Sequence, residues 1–109
     1  MERKLIAETH IKPNAPEHYL FQYYVFSHKA CSGTDVYGIL AENYQHENNK
    51  EKPCLVDSDS INGISDSYEL TVQMIQYLAK NEVSPVTLIE VIDEVFDKFT
   101  TQAAGNPWQ

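Results

Sequence analysis

Residues 65–99 constrain this chain more than any other stretch, because they hold two apolar stripes at helical spacing with a proline between them. Tyr68, Val72, Ile75, Leu78 and Ala79 recur at steps of three and four, with Met74 beside them. Gln73, Gln76 and Lys80 fall on the other side. Asp66 followed by Glu69 has the form of a capping box, with Ser65 as the alternative cap. Asn81 reads as a left-handed stop, and Pro85 cannot continue the helix because it lacks an N–H and collides with the preceding turn. A second helix starts there, capped by Ser84 ahead of Pro85 or by Thr87 with Glu90. Its stripe is Leu88, Val91, Ile92, Val95 and Phe99, broadened by Ile89 and Phe96. The predicted helices are therefore 66–80 and 85–99. So short a connector sets them antiparallel, and neither stripe is satisfied without a sheet.

The residues ahead of them supply that sheet. Alternation predicts strands over 4–11, 19–27, 35–44 and 53–57, with Leu5, Ala7, Thr9 and Ile11 on one side of the first. The second strand is dense in aromatic and β-branched residues on both faces, which places it centrally. Gly38 signals a bulge or a close approach in the third. Pro13 and Pro16 break the chain into a loop, and Gln45 to Lys52 reads as a polar loop tip. Residues 100–109 lack periodicity and read as a flexible tail unless Trp108 docks. Strands first and helices last predict an α+β fold. Its sheet is an antiparallel meander of three to four strands, covered on one face by the C-terminal antiparallel helix pair, in one domain over 1–99.

Charge narrows the function. Sixteen acidic residues stand against eight basic ones, for a net charge of −8, and Arg3 is the one arginine. Affinity for nucleic acid rests on Lys and Arg neutralising phosphates, so direct binding is not expected. Glu90, Asp93, Glu94 and Asp97 lie opposite the apolar stripe of the second helix. They form either a solvated face or a docking surface for a basic partner, including one whose proper ligand is nucleic acid. The first residues carry no long apolar run, so neither a leader nor a membrane span is expected, and the predicted compartment is the cytoplasm. A Cys31–Cys54 disulfide is not expected there.

Several chemistries can be weighed by residue type and spacing. His28 and Cys31, with His46 and Cys54 downstream, offer four nitrogen and sulfur ligands for zinc or for thiol chemistry, but no paired C-x-x-C accompanies them. Asp57 to Ser60 invites a calcium loop, which fails because Asn62 stands where glycine is needed and Tyr68 where the final glutamate belongs. No nucleophile elbow and no glycine-rich phosphate loop is present. No enzymatic activity and no cofactor are expected. Tyr19, Tyr23, Tyr24 and Tyr37 sit on adjacent predicted strands, as cross-strand pairs within the sheet or as part of an interface.

Tyr37-Gly38-Ile39, Ile61 to Ser65, and the run Asn81 to Leu88 followed by Val91 to Val95 together resemble a family of short proteins from Gram-positive anaerobes. It is the domain-of-unknown-function family numbered 6514. The resemblance covers about Tyr37 to Phe99, and the Val83-Ser84-Pro85-Val86-Thr87-Leu88 connector is its most specific part. The resemblance does not extend to the Gln45–Lys52 stretch or to the Gly105-Asn106-Pro107-Trp108 tail. It implies a cytoplasmic bacterial protein with strands followed by a helix pair, and it carries over no activity and no catalytic residue. The expectation is then a small acidic module that binds another protein or a second copy of itself. The alternatives are an acidic mimic that occupies a nucleic-acid-binding groove and a metal or thiol enzyme using His28, Cys31, His46 and Cys54.

Overall fold

The structure, a computed structural model, describes residues 2–47 and 52–103. Four strands, β1 (Arg3–Ile11), β2 (Glu17–Lys29), β3 (Asp35–Glu47) and β4 (Cys54–Ser65), precede two helices, α1 (Tyr68–Lys80) and α2 (Pro85–Ala103). Each strand pairs antiparallel with its neighbours in sequence, giving one sheet in the order β1-β2-β3-β4. This is the α+β meander that the order of elements predicts. Short turns make it the simple solution: Gly33, at φ 87, closes the β2–β3 turn where its N–H donates to the Ala30 carbonyl.

β2 and β3 run in unbroken register from Glu17↔Glu47 to Lys29↔Asp35, so the parity of their residues sorts the faces. Phe21, Tyr23, Val25, Ile39 and Ala41 point toward the helices and pack with Met74, Ile75, Leu78, Leu88, Ile92 and Val95. The intervening residues point to the face that no described element covers. β4 reaches Ser65, well past the expected 53–57, because Ser58 and Ser60 lie on that uncovered face of an edge strand, where polar side chains cost little. β3 likewise continues to Glu47 instead of ending at residue 44, held by β2 along its whole length. Residues 48–51 of the expected loop tip lie outside the described residues.

The helix ends also differ from the capping patterns in the sequence. Ser67, in extended conformation, is the N-cap of α1, its Oγ accepting from the Leu70 N–H at 3.1 Å. The cap is neither Asp66 nor Ser65. Thr71 is buried and its hydroxyl donates back to the Ser67 carbonyl, so the core line of α1 runs through Thr71, Met74, Ile75 and Leu78. Tyr68 is left at the rim, edge-on to Tyr37. At the other end Glu82, not Asn81, takes the left-handed conformation (φ 54). The Glu82 N–H donates to the Ala79 carbonyl and the Val83 N–H to the Leu78 carbonyl, a Schellman closure. α2 begins at Pro85 as its missing N–H permits, and it continues through Thr100 to Ala103, past the expected end at Phe99. Residues 104–109 of the expected tail, Trp108 included, lie outside the described residues.

Two sheet hydroxyls join the layers. Thr9 Oγ1 donates to the Ala79 carbonyl at 2.7 Å, and the Tyr23 phenol donates to the Val83 carbonyl at 2.6 Å. Tyr23 is 0% exposed, and burial pushes its phenol above the ordinary range. Tyr23→Phe removes the donor and strands a carbonyl, so urea unfolding is expected to show a loss of about 1–3 kcal/mol. The raised phenol adds stability that is complete below the free value of about pH 10 and is lost as the pH climbs toward the raised one, and Tyr23→Phe is expected to remove this alkaline slope.

Gly38 sits opposite Phe26 with the β3–β4 register broken beside it, as the glycine signals. A β-carbon there would lie 2.5 Å from Phe26 Cζ and against the Ile61 carbonyl oxygen. Because that oxygen belongs to the backbone, Gly38→Ala is expected to cost about 1–3 kcal/mol in the same measurement.

Candidate functional site

The uncovered sheet face carries an organised set of side chains. β1 places Arg3, Leu5, Glu8 and His10 on it, β2 places His18, Leu20, Gln22, Tyr24, Phe26 and His28, and β3 places Leu40, Glu42, Tyr44 and His46. Leu5 reaches this face because a bulge shifts the register between Leu5 and Ala7. Ile6 takes the inward place expected for Leu5 and packs against the core.

Glu42 is the centre of this face. Its carboxylate meets Arg3 Nη1 at 3.2 Å and accepts from the Tyr44 hydroxyl at 3.1 Å. The Glu42 side chain is only 9% exposed although no helix lies above it, whereas that of Arg3 is 46% exposed. The guanidinium lies 4.4 Å above the centre of the Tyr24 ring. Tyr24 donates to Gln22 Oε1, and Gln22 Nε2 donates to Glu8, so one chain of contacts spans β1, β2 and β3. The hydrogen bond with Glu42 raises the Arg3 pKa, while burial above all raises those of the Tyr24 and Tyr44 phenols. Toward one end the rings of His18 and His46 stack at 5.0 Å and 7°.

The residues singled out in the sequence separate. Of the four tyrosines, only Tyr24 is on the uncovered face. Tyr23 is wholly inside, and Tyr19 and Tyr37 are half-buried against the helix-side core. They do not form one aromatic surface, because odd and even positions of a strand point opposite ways. Glu90, Asp93, Glu94 and Asp97 are all exposed along α2, with no cation within ion-pair distance among the described residues. Ile89 is exposed beside them instead of widening the apolar stripe. His28 and Cys31 lie near one end of the sheet and His46 and Cys54 near the other, roughly 30 Å away at the rise of a strand. They do not converge, and both cysteines are free and exposed. Sequence reasoning missed Arg3, Glu42, Tyr44 and the His18–His46 pair. Strand parity is the signal that finds them.

The profile of the Family of unknown function (DUF6514) matches residues 2–98, nearly the whole described chain and more than the Tyr37–Phe99 span of the resemblance. The chain belongs to the DUF6514 family. No curated protein and no solved structure matches it. For this DUF6514 chain the geometry is thus the guide to function. No helix among its described residues is long and apolar enough to cross a membrane.

Removing the guanidinium tests how the central network is held. Arg3→Ala takes the cation from Glu42 and leaves it only phenol neighbours, Tyr44 and Tyr24, and the half-exposed arginine limits the expected loss to about 1–2 kcal/mol by urea unfolding. Arg3→Lys keeps the charge but not the flat stacking group, and is expected to fall between the two.

Proposed function

We propose that this DUF6514 chain is a cytoplasmic, non-enzymatic protein-binding module whose contact surface is the uncovered sheet face. One observation carries the reading. Leu5, Leu20, Leu40 and Leu55 stand on that face around a polar network whose members already bond to one another. Covering such a surface gains from apolar area while leaving few polar groups unmatched, which is the composition of an interface centre. The exposed residues Leu5 and Leu55 mark its two lateral edges.

A second reading keeps the acidic ridge of α2 as the contact for a basic partner, such as the groove of a nucleic-acid-binding protein. The exposure of its four carboxylates, none of which has an ion-pair partner among the described residues, supports it. Capture of interacting protein from native lysate separates the two. Leu40→Glu is expected to abolish capture, and the combined Glu90→Gln, Asp93→Asn, Glu94→Gln and Asp97→Asn variant to retain it. The reverse pattern would assign the contact to α2, and equal capture by all three proteins would sink both readings.

A further inference from the structure

We infer that the occupant of the uncovered sheet face is a second copy of this chain, and that the histidines on that face release it in mild acid. The inference rests on the sheet face being a protein contact and names its partner.

Charge selects the partner. The strands place one cation, Arg3, and two carboxylates, Glu8 and Glu42, on this face, while the chain as a whole carries −8. Nearly all of the excess negative charge therefore lies elsewhere. Two identical copies repel wherever acidic surface meets acidic surface, and this near-neutral face is where they can approach. A basic partner would instead be drawn to the carboxylates of α2.

Size agrees. Four strands about 4.8 Å apart, each contributing roughly eleven residues at 3.3 Å, present a face of about 700 Å². A stable association buries roughly 800 Å² on each partner. Glu42 is already withdrawn from water within each copy, so pairing adds little further desolvation at the centre. Two sheets face to face, with helices outside, complete the layering that each chain leaves open on one side.

All four histidines of the chain, His10, His18, His28 and His46, lie on this face by register. The other charged or titratable groups on it are Arg3, Glu8, Glu42, Tyr24 and Tyr44, and no described element packs over it. With neutral imidazoles the face is nearly balanced. Once protonated, four imidazolium groups and one guanidinium stand against two carboxylates on each copy, and like faces repel. The two stacked rings of His18 and His46 would also repel each other. Association is therefore weakened wherever these imidazoles carry a proton. For an interface anywhere else the sign reverses, because the same protonations reduce the excess negative charge of the chain.

Sedimentation velocity at tens of micromolar, at about pH 7.5 and about pH 5.5, tests this above the sequence pI of 4.8. The expected result is twice the monomer mass at the higher pH and the monomer mass at the lower. Leu40→Glu, checked for folding by circular dichroism, is expected to be monomeric at both. Ser60→Arg, at an exposed position opposite Leu40, is expected to be monomeric without disturbing the fold. Replacing the four histidines with glutamine is expected to keep the dimer at the lower pH. A monomer at the higher pH, or a dimer indifferent to Leu40→Glu and Ser60→Arg, overturns the second copy as occupant. A dimer that persists or strengthens in acid overturns the histidine release. If the chain is monomeric while Leu40→Glu still abolishes capture of another protein, only the present inference falls. If both effects are absent, the assignment of the sheet face falls with it.

Discussion

The hydrogen bond from the Tyr23 hydroxyl to the Val83 carbonyl fixes where the helices sit, and the rest of the structure follows from that placement. Val83 is the first residue beyond the left-handed Glu82, so its carbonyl has no partner within α1. A phenol rising from the second strand reaches it with almost no slack, and Thr9 from β1 does the same for Ala79. These two contacts anchor the reversal between the helices over β1 and β2. Leu78 on one side of the reversal and Leu88 on the other are then both fully buried. Along their length the helices share an exposed polar contact, Lys98 Nζ donating to the Tyr77 hydroxyl at 3.4 Å. Otherwise they are held by the apolar stripes that any amphipathic pair would offer.

Anchoring both helices to one side decides what the other side must be. A four-stranded sheet with a single covered face ordinarily alternates apolar and polar residues. Here the uncovered face instead holds leucines, aromatic rings and a carboxylate that is nearly buried by its strand neighbours. Arg3, Tyr24 and Tyr44 shield Glu42 in the place of a covering layer. The network keeps the side chains in one arrangement before any partner arrives, which reduces the ordering cost of association.

Much of this was legible in the sequence. Helical spacing in 65–99, the proline at residue 85 and the aromatic density of 19–27 placed both helices and the inner strand, and Gly38 announced its own irregularity. What escaped depended on contacts distant in sequence. The bulge at Ile6 turns Leu5 outward, and no local pattern reveals it, since the pairing partner is Tyr24. Asp57 to Ser60 carry no strand alternation of apolar residues until Asn43 to Leu40 are laid beside them as a ladder. Glu82 takes a conformation usually left to glycine or asparagine because Val83 must then reach Leu78. Tyr19, Tyr23, Tyr24 and Tyr37 do not share a face for a simpler reason: they divide by parity, whereas the histidines at 18, 28 and 46 share one.

The edges of the sheet bear on how the molecule can associate. An open meander leaves β1 and β4 with unpaired backbone groups, and edge-to-edge pairing is the usual hazard. Here each edge is interrupted. β1 carries its bulge near the middle, flanked by Lys4 and Glu8. β4 is broken opposite Tyr44 and again opposite Gly38, with Asp57 and Asp59 between the breaks and Gly63 at a positive φ. An incoming strand would find only short regular runs and would meet carboxylates along one of them. Two copies of an acidic chain meeting edge to edge along β4 would bring those carboxylates together. The sheet face has neither obstacle: its register is continuous through β2 and β3, and its central carboxylate, Glu42, is already paired with Arg3 within one copy. Geometry and electrostatics thus close the edges and leave the face open.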